Sequence, residues 1–381
     1  MNYNLTQEQK MIIEEIKSFA FANLNKKECY TSFSREMWRA TAELGLFGLC
    51  VPEEYGGLGE SYLLAAHAME NLGYACHNNG FIFAITNHMW VAINLILLYG
   101  TEEQKNKYLP IMISGEKIGA MAISEANAGS DATGMLTTAK LDNGSYVING
   151  SKMFVSNGTI ADIFIVFATF MHNNIRRITP FIVERDQEGV IIGADIKKMG
   201  LESCPMAEIT FDNCRISEKN IIASPLAGDA IMKNALEWER CYEFASHIGT
   251  MKRIMEMSIK HMAERKQFGK SLSEYQALTH KVADMKVRIE MARRMLYDIA
   301  VYKDQKKSAY LEASIFKLYT SEAYINTCRD AMQIFGAYGY TKEYELEREM
   351  RDALACSVYS GTNEIQRNTI YTLTSMEELM L

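Results

Sequence analysis

The chain carries two hydrophobic periods. From its start to about residue 115, apolar residues recur every three to four positions, as on amphipathic helices; 35-REMWRATAELGLFGL-49 and 61-SYLLAAHAMENLGY-74 are the clearest runs. Thr6-Gln7-Glu8-Gln9 and Thr101-Glu102-Glu103-Gln104 read as capping boxes, and the glycines of 51-VPEEYGGLGE-60 mark a loop. From Ile118 the period shortens to two. Strands are predicted at 118–125, 163–170, 178–184, 190–196 and 207–216. Between the first two, 136-LTTAKLDNGSYVINGSKMFVSNG-158 holds two Asn-Gly pairs, at 143–144 and 149–150, each a hairpin signal. After about Leu226 the helical period returns, with helices predicted over about 227–262, 271–304 and 307–336 and a last one from about 362. The expected class is α+β. It comprises an all-helical N-terminal domain (1–116), a middle β-barrel-like domain (117–226) and a C-terminal four-helix bundle (227–381).

Length and composition narrow the class. The 381 residues exceed what one core fills comfortably, which fits two or three packed units. A formal charge of −7 argues against a nucleic-acid footprint. Eight cysteines without a CxxC pair read as reduced, mostly buried thiols, and the polar start lacks a signal-peptide core; a cytoplasmic protein is expected. The run 81-FIFAITNHMWVAINLILLYG-100 is long enough for a membrane span, but Asn87, His88 and Asn94 interrupt it, so a helix buried in a large core is expected instead.

Common catalytic signatures are missing. No GxGxxG follows a strand, there is no Walker A loop, HExxH or GxSxG, and the histidines lack metal-ligand spacing. Four polar stretches remain that regular elements do not need: 124-SEANAGSDA-132, 264-ERKQFGKSLSEYQ-276, 333-QIFGAYGY-340 and 358-VYSGTNEIQR-367. Taken singly, the first reads as a turn and the second as a solvated helix end, though the first has a small-residue backbone open to a phosphate. A further oddity is 234-NALEWERCYEF-244, where Glu239-Arg240 sits among apolar residues of a buried helix. A carboxylate there costs several kcal/mol, on the order of a buried unpaired ion, unless it is paired or neutralised.

In order along the chain, VPEEYGGLG, AISEANAGSD, NGSKMFVSN, KMGLESCPMAEITFDNCRI, ERKQFGK, QIFGAYGY and SGTNEIQR resemble the acyl-CoA dehydrogenase superfamily over essentially its whole length. The resemblance implies FAD at the junction of the middle and C-terminal domains, an acyl thioester substrate and a homotetramer. It implies flavin contacts from Ile123, Ser124, Gly129 and Ser130, and from Phe154 and Ser156 in place of a more usual tryptophan and threonine. Arg265 and Phe268 match residues that reach FAD across a subunit contact, Gln276 lies just beyond them, and Gln333 and Gly336 match a pyrophosphate-holding pair. Thr362 and Glu364 match a Thr-x-Gln, with Glu for Gln. Where many members carry their catalytic glutamate, this chain has Ser360, which cannot act as base. The resemblance then implies Glu239 as base, Arg240 tuning it, and the Ser360 N–H as oxyanion donor.

LESCPMAEITFDNCRI, ALEWERCYEF and VYSGTNEIQ further resemble the branch that oxidises aminoacyl groups on carrier proteins. Three other readings stay open at this stage. They are a conventional short-chain acyl-CoA dehydrogenase, a flavin monooxygenase or oxidase, and a scaffold that has lost catalysis. The electron acceptor is expected to be a flavoprotein or oxygen, with no nucleic-acid or membrane partner and no metal.

Overall fold

The computed structural model describes residues 3–380. Its first third is helical: Gln7–Asn23, Arg35–Glu43, Tyr62–Ala75, Asn79–Thr86, Asn94–Tyr99 and Glu102–Ile113. Short polar side chains satisfy the first turns. Thr6 and Thr101 form complete capping boxes with Gln9 and Gln104, as their spacing predicts, and Ser34, Ser61 and Asn78 cap three more helices. The apolar run is a core helix, interrupted by a π-helical stretch, Asn87–Ile93, whose seven residues are all buried. His88 fixes that stretch to the sheet: its ring bonds the Met112 carbonyl at 3.0 Å and accepts the Gly119 N–H at 2.9 Å.

Seven strands form the middle sheet: β1 Gly119–Ala122, β2 Thr138–Asp142, β3 Ser145–Ser156, β4 Ile163–His172, β5 Ile175–Glu184, β6 Val190–Ile192 and β7 Met206–Ser217. The order is β1-β4-β2-β3-β7-β6, with β5 along the other edge of β4. β4 is buried from Ile163 to Phe170 because both its faces are covered. Phe164, Val166, Ala168 and Phe170 fill the core of the curled sheet, and Ile163, Ile165 and Phe167 pack into the helical core. That explains a continuous apolar run where alternation would mark a half-exposed strand.

Two sequence readings need correction. Asn143-Gly144 does turn the β2–β3 hairpin, both residues having positive φ (51° and 74°). Asn149-Gly150 does not turn: it lies inside β3, where the register with β7 slips between Ile148 and Gly150. Gly150 takes φ +145°, and a Cβ there would stand 2.7 Å from the Thr137 backbone. The pair marks a bulge, not a hairpin. The helix predicted over 227–262 is two helices, Gly228–Tyr242 and Ala245–Glu264, broken at Glu243-Phe244 without proline or glycine.

Gln276–Asp304 and Tyr310–Phe335 complete the long helices, followed by Leu346–Ala355, unforeseen from the sequence, and Asn363–Met380. The N-terminal helices lock onto this group where Tyr62–Ala75 crosses Ala245–Glu264. At the crossing Gly73 and Gly249 face the opposing backbones; a Cβ on either would lie under 2 Å from a carbonyl oxygen, of Ser246 and Glu70 respectively.

Candidate active site

The sheet and the late helices enclose a cavity of about 840 Å³, ample for a cofactor and a substrate group. Its walls come from stretches far apart in sequence. The loop after β1 gives Ile123, Ser124, Gly129 and Ser130, the end of β3 gives Phe154 and Ser156, the Gly228–Tyr242 helix gives Leu236, Glu239 and Arg240, and the loop before the last helix gives Tyr359, Ser360 and Thr362.

A second bulge carries β3 to the cavity. The register slip between Lys152 and Val155 takes Met153 and Phe154 out of the ladder. Phe154 adopts φ +59° and lines the cavity with 57% of its surface exposed. The Met153 N–H donates to the Ser124 carbonyl at 2.8 Å, tying bulge and loop together. Beneath them Lys152, fully buried, bonds the Ile123 carbonyl at 2.9 Å and Glu125 at 2.8 Å. Glu125 also accepts the N–H groups of Leu136 and Thr137 at 2.6 and 2.9 Å. Burial works against its charge, yet the bonds from Lys152 and Thr137 hold its carboxyl below the usual range. Lys152 and Glu125 were missed in the sequence; the signal was a lysine in an inward position of a strand.

Glu239 is 8% exposed and faces this cavity. Its Oε1 accepts the Ser360 hydroxyl at 2.8 Å, and its Oε2 has no hydrogen-bond partner among the described residues. Burial raises its pKa; the Ser360 hydrogen bond, the Arg240 charge and a hydrogen bond with Glu243 moderate the rise. Arg240 makes no ion pair with it, contrary to what their adjacency suggests. Arg240 Nε donates to the Ser360 carbonyl at 3.2 Å, Nη1 to Ser314 Oγ at 3.2 Å, and the guanidinium lies 5.2 Å from the Tyr310 ring centre. Arg240 therefore positions the Ser360 loop and acts on Glu239 through its field. Glu237, two residues earlier, is a structural ion: it pairs with Lys303 and accepts the Ala309 N–H at 2.6 Å. Glu125 also lines the cavity but is fully committed, so Glu239 is the lining carboxylate with a buried oxygen that lacks a partner among the described residues.

Ser360 is held in the left-handed region, φ +58°, rare for a residue with a Cβ. Surrounding bonds maintain that conformation: its carbonyl accepts Arg240 and Gln366 Nε2 (3.1 Å), and Asn363 beyond it is gripped by Lys317 at 2.8 Å and Ser321 at 2.9 Å. The Ser360 N–H donates to no protein acceptor among the described residues. Sequence reading also missed Glu243, 1% exposed, whose Oε2 lies 3.2 Å from Ser360 Oγ.

Of the remaining candidates, only Thr362 reaches the cavity. Arg265, Phe268, Gln276, Gln333 and Gly336 are exposed on the helical domain, and the Arg265 guanidinium sits 5.8 Å from the ring centre of Tyr338. Glu364 is exposed and pairs with Arg367, while Thr362 lines the cavity and caps the following turn through the Ile365 N–H.

Family models for the N-terminal, middle and C-terminal domains of acyl-CoA dehydrogenase match residues 6–116, 120–214 and 227–372. The chain belongs to the acyl-CoA dehydrogenase family. It is accordingly an oxidoreductase of acyl thioesters with FAD as cofactor. It is 37% identical to an acyl-CoA dehydrogenase of Bacillus subtilis, covering 96% of this chain and 97% of that protein. It is 35% identical to an L-prolyl-[peptidyl-carrier protein] dehydrogenase of Pseudomonas fluorescens, covering 97% and 98%. Among solved structures it resembles the prolyl acyl carrier protein oxidase AnaB (39% identity, TM-score 0.94, 97% and 100% covered) and the FAD complex of PigA (30%, 0.94, 99% and 100%).

The cavity residues suit a flavin. Gly129 is open, a Cβ there meeting nothing within 4 Å, which leaves room for a close approach to its backbone. Ser124 and Ser130 add hydroxyls, and the exposed Phe154 ring adds an aromatic face. In an acyl-CoA dehydrogenase these are the needs of a phosphate and of a planar ring.

Proposed function

We propose that this chain dehydrogenates the Cα–Cβ bond of an acyl or aminoacyl thioester carried on a carrier protein, with Glu239 as the base. The observation that carries the reading is the unpartnered Oε2 of Glu239 in an apolar cavity, beside a serine at the late position where a rival glutamate is absent. When bound, FAD supplies the hydride acceptor. The chain's own residues do the rest. Glu239 accepts the α-proton, and its raised pKa suits a base working near neutrality. The Ser360 N–H, free of protein acceptors, meets the thioester oxygen as charge gathers on it. Leu236, Phe83 and Tyr359 keep water from the reacting carbons.

The choice of a carrier over coenzyme A rests on the cavity wall. Cys204, within the Ser-Cys-Pro segment that resembles the carrier branch, lines it, and Ser203 anchors that segment to Asn78 at 2.5 Å. Lys198, free of ion pairs among the described residues, lies on the same wall and offers an acidic carrier a positive contact. The similarity to the prolyl-carrier enzymes supports it. The acyl-CoA dehydrogenase of Bacillus subtilis favours a second reading, a coenzyme A thioester. The electron acceptor is an electron-transferring flavoprotein or oxygen. The exposed Arg265 and Phe268 serve a neighbouring subunit's FAD in a homotetramer, an assembly typical of the family. The free cysteines suit the cytoplasm.

The test is mass spectrometry of a prolyl-carrier thioester and of butyryl-coenzyme A after incubation with the enzyme. The proposal expects loss of two or four hydrogens from the carrier-bound group alone. Turnover confined to butyryl-coenzyme A would overturn the carrier assignment, and a gain of oxygen would overturn dehydrogenation.

A further inference from the structure

The contact between Ser360, Glu239 and Glu243 poses a proton-counting problem. Ser360 Oγ lies 2.8 Å from Glu239 Oε1 and 3.2 Å from Glu243 Oε2. A serine hydroxyl has one hydrogen to give, so it can donate to one of these oxygens only. The other contact is a hydrogen bond only if that carboxyl carries a proton and donates to Oγ. Both carboxyls are buried, and neither forms an ion pair within 4 Å among the described residues, whereas Glu237, on the Glu239 helix, pairs with Lys303.

The surroundings decide which one is protonated. Arg240, from the same helix, and Lys317, from Tyr310–Phe335, act on Glu239 and favour its charged form. Around Glu243 lie Tyr359 and Cys356 from the segment before the last helix and Cys204 from the loop before β7, all kept neutral by burial. His247, from Ala245–Glu264, is pushed down to about 4 by burial and is neutral too. Burial, next the Glu239 charge, and a direct hydrogen bond to Glu239 hold the Glu243 carboxyl far above the usual carboxylate range, while the same bond favours the charged form of Glu239.

We propose that Glu243 is a positioning residue that stays a neutral acid, its O–H donating to Ser360 Oγ and the Ser360 O–H donating to an ionised Glu239. The relay, with the direct Glu243 bond, fixes the Glu239 carboxylate at the cavity wall, and its Oε2 keeps no hydrogen-bond partner among the described residues. When Glu239 takes the α-proton, that proton stays on Glu239 and Glu243 keeps its own, so no second charge enters the cavity. The relay rests on Glu239 being the base but not on which thioester is used.

Infrared difference spectroscopy of the FAD-loaded enzyme at about pH 8, well above the ordinary glutamate range, tests it without substrate. The carbonyl band of a buried protonated carboxyl should vanish in Glu243→Gln and persist in Glu239→Gln. A band that vanishes in Glu239→Gln instead, that both variants diminish, or that is missing from the wild type would overturn the proposal. Flavin bleaching by a prolyl-carrier thioester supplies the kinetic arm. Glu243→Leu removes the donor, so the acid limb of the rate should move up by about one pH unit, making bleaching about tenfold slower on that limb and little changed on the plateau above it. A profile that overlays the wild type's would overturn the relay. If that thioester bleaches no form of the enzyme, the carrier assignment fails while the infrared result still stands.

Discussion

Carboxylates under the cavity differ in whether their partners are complete. Glu237 and Glu125 are satisfied on both oxygens, Glu239 and Glu243 on one each, and of these two only Glu239 lines the cavity. Residue type and neighbours in the chain could not make that distinction. Glu239 was legible through the family resemblance and the apolar residues beside it, but Ser360 meets it and Glu243 only after a fold that brings together positions about 120 apart. His88 shows the same dependence on context. Burial, only partly offset by its bond to the Met112 carbonyl, lowers its pKa to about 4, so it is neutral in the fold. A depressed histidine contributes stability above its unfolded value of 6.5, and that contribution is lost as pH falls toward about 4. Thermal unfolding of the wild type should therefore show a loss on the order of 3 kcal/mol from this residue between those limits. His88→Phe should be less stable at neutral pH, having orphaned the Gly119 N–H, with a shallower slope in acid. An unchanged slope would show that His88 is not the titrating group.

Elements were legible where a local signal sufficed. Capping boxes, the Asn143-Gly144 hairpin and the buried 79–99 helix follow from the residues in place. Asn149-Gly150 carries an identical dipeptide, and only the partner strand β7 makes it a bulge. The break at Glu243-Phe244 has no proline or glycine to announce it, and nothing local accounts for it. Elements also show how tightly the helical parts are joined. At the Gly73–Gly249 crossing the two backbones are in contact, so an added methyl group has nowhere to go. Gly249→Ala should cost about 3 kcal/mol, the upper end of overpacking, despite its favourable helix propensity. Urea denaturation measures this, and a stabilised variant would show that the helices shift apart freely.

On the scale of the whole molecule, the candidate residues form two groups. Ile123 through Ser156, Glu239, Ser360 and Thr362 surround the cavity; Arg265, Phe268, Gln276, Gln333 and Gly336 lie on an exposed face. Phe268 is 95% exposed, with φ +53°, at the tip of a hairpin of two-residue strands, Lys266–Gln267 and Lys270–Ser271, and Tyr340 nearby in sequence to Tyr338 is 81% exposed. A face that places aromatic rings so far into water fits contact with another copy. Phe268→Ala combined with Arg265→Ser should lower both the tetramer fraction in light scattering and the FAD retained per chain. Full retention of both would assign that face another role. The motifs were legible in the sequence, but their division between a cavity and an outer surface was not, because it depends on the packing of the helical domain.

The most direct test of the account is the rate of anaerobic flavin bleaching by a turned-over thioester in Glu239→Gln. The account predicts a yellow protein with wild-type FAD content whose flavin reduction is slower by about 10²- to 10⁴-fold, the range expected for loss of a positioned base. Reduction at a rate near wild type would contradict it and place the base elsewhere.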